Sequence, residues 1–77
     1  MQMMTFLTAY NTELDTLKKE LVTFRDKPRE PHDFATHDGF AAQIRMLKNL
    51  GVGRKRVAEL ERILLEAAVT IFPEKLN

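Results

Sequence analysis

From Met3 to Phe24 the apolar residues recur at Met3, Leu7, Tyr10, Leu14, Leu17, Leu21 and Phe24, in alternating steps of four and three, and no Gly or Pro interrupts them. That spacing places them on one narrow face of an α-helix over three heptads and is incompatible with the two-residue period of a strand. With Leu7, Leu14 and Leu21 at a and Tyr10, Leu17 and Phe24 at d, the g positions hold Glu13 and Glu20 and the e positions hold Lys18 and Arg25. In a parallel coiled coil Glu13 would face Lys18 of a second copy, and Glu20 would face Arg25. The stripe therefore predicts either a homodimer through Leu7, Tyr10, Leu14, Leu17, Leu21 and Phe24, or an amphipathic helix packed on its own domain.

Size bears on that choice. The chain has 77 residues and no Cys. A single domain of this length, here 1–77, buries only about 60% of the surface exposed by its unfolded chain, and no disulfide can add to its stability, so a partner subunit is expected. There is also no Ser, which with Cys removes the commonest nucleophiles. A core this small can hardly wall off a dry catalytic pocket, so the expected class is binding or interaction, with no enzymatic activity and no cofactor. No run approaches the ~18 apolar residues of a membrane span, and Met1-Gln2-Met3-Met4 lacks the charged start of a signal peptide. The expectation is a cytoplasmic protein without membrane contact.

Residues 26–37 carry two prolines, Pro28 and Pro31, mixed charges and no periodicity, and read as a long connection whose Phe34 reaches the core. Asp38 is the expected N-cap of a second helix, with Thr36 as the alternative. That helix shows Phe40, Ala41, Ile44 and Leu47 on one face and stops before Gly51-Val52-Gly53. A third follows with Val57, Leu60, Leu64, Ala67 and Ile71 at a/d spacing, Ile63 and Ala68 widening the stripe, and Pro73 ending it. The predicted fold is all-α: three helices over about 3–25, 39–50 and 54–72, the last two joined by a Gly-x-Gly turn.

Formal charge totals +1, from 12 Lys and Arg against 11 Asp and Glu, but its distribution is uneven. Between Asp38 and Glu59 stand Arg45, Lys48, Arg54, Lys55 and Arg56 and no acid, giving +5 there and −4 elsewhere. Arg54, Lys55 and Arg56 open the third helix, where the positive end of the helix dipole disfavours each surface cation by about 0.3–1 kcal/mol. Glu59 lies within reach of Lys55 and Arg56 on the helix, yet pairs of that order contribute only a few tenths of a kcal/mol. A local preference violated without compensation marks a candidate functional site. The preceding glycines permit a tight turn whose backbone amides, with those of a helix N-terminus, suit a phosphate.

Leu47 to Leu60, continued by Ile63-Leu64, resembles the helix-hairpin-helix motif of proteins that bind the DNA backbone, in the version found in the C-terminal domain of the bacterial RNA polymerase alpha subunit. Gly51, Val52, Gly53, Arg54, Lys55, Val57 and Leu60 match its pattern of Gly-apolar-Gly, basic residues, a small apolar residue and a branched one. The resemblance covers about 18 of the 77 residues. It departs from the family at Leu50, where a proline is frequent, at Val57, where many members have Ala, and at Asn49, a position often held by leucine. It implies phosphate contacts from Gly51, Gly53, Arg54 and Lys55 without base reading, and Arg56, Lys48 and Arg45 add charge nearby.

His32, Asp33, His37 and Asp38 could supply metal ligands, but their spacing fits no known ligand set, so no metal is expected. Three functions remain. The leading one is a dimeric nucleic-acid-backbone binder acting through the Gly51–Arg56 turn. The second is a helical regulator or inhibitor of another protein, whose 3–24 seam meets its partner while the basic window steers it toward an acidic surface. The third is a nucleotide site at the same turn.

Overall fold

The computed structural model describes residues 2–72, with side chains from Thr5 onward, as three α-helices: α1 (Gln2–Asp26), α2 (Asp33–Leu50) and α3 (Arg54–Ile71). The all-α expectation holds, and the described residues contain no strand. α1 persists because nothing breaks it before Pro28, and Lys27 N–H closes its end on Thr23 O at 3.1 Å. α2 stops at Gly51, whose φ of 73° turns the chain left-handed while its N–H bonds Lys48 O. α3 ends when Phe72 leaves helical geometry and donates to Ala68 O. Pro73, the expected terminator, lies outside the described residues.

α3 is the shared element. Its stripe of Val57, Leu60, Ile63, Leu64, Ala67, Ala68 and Ile71 is buried, wide enough to receive α1 on one flank and α2 on the other. α1 and α2 touch each other mainly where the Phe24 and Phe40 rings meet at 5.4 Å. Lys18 bonds Glu59 at 3.3 Å and Arg25 bonds Glu66 at 2.7 Å, so α1 and α3 run in the same direction, with α2 antiparallel to α3. The a/d face of α1 is thus satisfied inside the chain: Tyr10, Leu14, Leu17, Leu21 and Phe24 are buried in the common core. Of the expected dimer seam, Leu7 alone remains open at 38% exposure. A dimer through the seam would first have to part α1 from α3. The e-position cations Lys18 and Arg25 meet Glu59 and Glu66 rather than Glu13 and Glu20 of a second copy.

The second helix begins at Asp33, not after Asp38, and residues 27–32 form a connection of ordinary length. Asp33 explains the difference. Its carboxylate, 2% exposed, accepts Glu30 N–H at 2.7 Å and the Lys27 ammonium at 2.8 Å, with Arg29 Nε at 3.6 Å. With the bond from Asp33 N–H to Glu30 O at 3.1 Å, this backward bond closes residues 30–33 into a turn that leads into α2, whose N-cap His32 makes no side-chain capping bond. Lys27 and Arg29 also lie over the Phe24 ring, 5.6 and 5.1 Å from its centroid, so the loop is tied to α1. Asp38 and Thr36 are interior helix residues, Thr36 hydroxyl bonding His32 O. Phe34 is 54% exposed and meets the edge of Phe72 rather than the core.

Two outcomes follow from this packing. Leu21, fully buried, should cost about 2–5 kcal/mol when changed to Ala, read by urea unfolding. The hydrogen bond from Lys27, with that from Glu30 N–H, holds the Asp33 carboxyl below its ordinary 3.8. Since the folded value is depressed, its contribution is complete above about pH 4 and is lost as pH falls through the folded value. Melting temperature should therefore drop on acidification below about pH 4, and Asp33→Asn should flatten that dependence while lowering stability at neutral pH.

Candidate phosphate-binding turn

Both glycines of the turn are left-handed, Gly51 at φ 73° and Gly53 at φ 66°. The first ends α2 and the second starts α3, so Val52 is the single residue between two reversals of the chain. The first helical bond of α3 runs from Val57 N–H to Gly53 O at 3.0 Å, which leaves the amides of Arg54, Lys55 and Arg56 as the helix's unsatisfied donors. No side chain caps them. Arg54 arches back over the turn, its Nη2 3.8 Å from where a Cβ on Gly51 would stand. Lys55 is exposed about 100° further round α3.

The structure divides the basic window. Lys48 reaches across to Glu61 at 3.3 Å. Arg56 turns toward α1, where Nη1 donates to Asn11 at 3.0 Å and Nη2 pairs with Asp15. Glu59 bonds Lys18 and approaches Arg62, so it neutralises neither Lys55 nor Arg56. Arg45, Arg54 and Lys55 have no ion pair among the described residues. Arg45 stands six residues before Gly51, about 9 Å along α2, and lines a groove with Ala41 and Leu65 rather than the turn itself. Gly51, Gly53, Arg54 and Lys55 are therefore together; Lys48 borders them; Arg45 and Arg56 face elsewhere. Beside the turn, Leu47, Lys48, Arg54, Val57 and Glu61 help line an open cleft of about 350 Å3.

The sequence placed Tyr10 in the seam and gave it no part in the turn. In the fold its ring is buried and its hydroxyl donates to Val52 O at 2.9 Å. No signal in the local sequence joins residues that far apart; only the parallel packing of α1 on α3 brings them together.

The histidines separate. Glu30, His32 and Asp33 offer ligand atoms within 4.8 Å of one another, but Asp33 is already held by Lys27 and Arg29, which a metal would have to displace. His37 lies on α2 with its ring edge-on to Phe72 at 5.0 Å, and not in the connection over 26–37 where the sequence reading put it. No helix among the described residues is long and apolar enough to cross a membrane.

No family model, curated protein or solved structure matches the chain.

The glycines carry a direct consequence. A Cβ on Gly53 would rest in ordinary contact, 3.6 Å from both Leu14 and Tyr10, so space is not the obstacle to a side chain. The positive φ is. Gly53→Ala should lose about 1–2 kcal/mol in denaturant unfolding, from backbone strain alone.

Proposed function

We propose that this chain binds the sugar-phosphate backbone of nucleic acid without reading sequence, using the Gly51–Lys55 turn. The observation that carries the reading is the contrast among its cations. Lys18, Arg25, Lys27, Lys48, Arg56 and Arg62 each hold a carboxylate. Lys19, Arg45, Arg54 and Lys55 hold none among the described residues, and of these four Arg54 and Lys55 stand where the dipole of α3 opposes them, beside unsatisfied amides. An anion at the turn would relieve all three conditions at once: it favours the dipole, accepts the amides and pairs the cations. A phosphodiester fits because the contact is made by backbone amides and long cationic side chains, with nothing at the turn shaped to read a base edge.

One turn with two free cations neutralises about two phosphates, so affinity should fall with salt at a logarithmic slope near −2. A second copy bound to the same strand would double that slope, and light scattering beside the titration distinguishes the cases. Arg54→Glu with Lys55→Glu should abolish binding to a fluorescent mixed-sequence duplex, measured by anisotropy. The same exchange puts acids at a helix N-terminus, where they are favoured, so the variant should melt no lower than the parent and loss of binding cannot be loss of fold. Arg56→Ala should leave the slope unchanged, since Arg56 is committed to Asp15 and Asn11. Binding that survives the double change would overturn the assignment.

A further inference from the structure

We infer that Tyr10 is the positioning residue of the turn: its hydroxyl determines which way the Gly53 N–H points. The inference rests on the reading of the turn as a phosphate site, and the geometry behind it is independent of any ligand. Val52 O and Gly53 N–H belong to one peptide unit, which is planar and trans, so the two bonds point in opposite directions. The Tyr10 hydroxyl holds Val52 O toward α1 at 2.9 Å. Gly53 N–H is thereby aimed away from α1, to the open side of the turn where the amides of Arg54 and Lys55 begin α3. A glycine on one side of this peptide makes its orientation easy to reverse, because Gly53 accepts positive and negative φ alike. Something outside the turn has to fix it.

Tyr10 is suited to that task because its own position is fixed. The ring is 7% exposed, it stacks on Phe6 with centroids 5.7 Å apart, and it lies against the place a Gly53 side chain would fill. The hydroxyl is the only part of Tyr10 that a phenylalanine would lack. The site is therefore assembled from two segments, the turn and a helix 42 residues earlier in the chain.

The test uses the full chain and its Tyr10→Phe variant, each titrated with a fluorescent mixed-sequence DNA duplex over a series of salt concentrations. Amide hydrogen exchange is followed without DNA. In the parent, Gly53 N–H should exchange as an unprotected amide; strong protection would overturn the inference before any ligand is added. Tyr10→Phe should keep its helical circular dichroism, shift the Gly53 amide resonance, and bind about two- to tenfold more weakly at every salt concentration, which is the span of one lost neutral hydrogen bond. The salt slope should stay the same, because no phosphate contact has been removed. A purely structural role would lower the melting temperature and leave the affinity of the folded protein unchanged. Equal affinity in the two proteins, or an unmoved Gly53 resonance, overturns the role of Tyr10 while leaving the phosphate reading intact. If the parent shows no salt-dependent binding, the phosphate reading fails and the inference falls with it.

Discussion

The packing of α1 along α3 in the same direction is the constraint on which the remaining features depend. It consumes the heptad face of α1, fixes the register that pairs Lys18 with Glu59 and Arg25 with Glu66, and brings Tyr10 to Val52. The apolar contacts set that register more than the ion pairs do. Leu14, Leu21 and Leu60 are at most 2% exposed, whereas the paired charges are solvent-accessible and such pairs contribute about 0–1 kcal/mol each. The ion pairs exclude wrong registers: a shift of one helical turn would leave two cations without acids.

The same packing sorts the charges. α1 brings Asp15 and Asn11 to Arg56, and Glu61 on α3 takes Lys48 from α2. A basic run of uniform appearance in the sequence divides into the paired Lys48 and Arg56, an unpaired Arg45 away from the turn, and the unpaired Arg54 and Lys55 at it. At the far end of α1, Asp33 gathers Lys27, Arg29 and the Glu30 amide, so the charges of this loop are occupied with turning the chain. The two ends of the molecule thus use charge in opposite ways, one closed around a buried carboxylate and one open to solvent.

Much of this was legible in the sequence, and what was not has definite causes. The three helices, the Gly51-Val52-Gly53 turn and the core positions of α1 and α3 follow from periodicity and from residues that break helices. The owner of the partner helix did not, because a heptad seam is the same whether its mate is in the next chain or the same one. The seven-residue spacing of Glu59 and Glu66 matches that of Lys18 and Arg25, but Glu13 and Glu20 match it equally, so charge spacing does not name the mate either. The start of α2 was misplaced because Asp38 looked like a cap, while the turn that launches the helix is made earlier, by Asp33 reaching back to Glu30 N–H. At the turn, the grouping of Gly51, Gly53, Arg54 and Lys55 was legible. The diversion of Arg56 to Asp15 and the Tyr10 bond were not, since both depend on residues more than 40 positions away.

The central claim is that the open end of the molecule is an anion site built from a few backbone amides and two free cations. It is tested most directly by following every backbone amide by NMR while duplex DNA is added to the full chain at low salt. Shifts confined to residues 51–56 and reversed by added salt are the result this account predicts. Shifts centred on the Asp33 loop or on the groove beside Leu65, or none at any salt concentration, would contradict it.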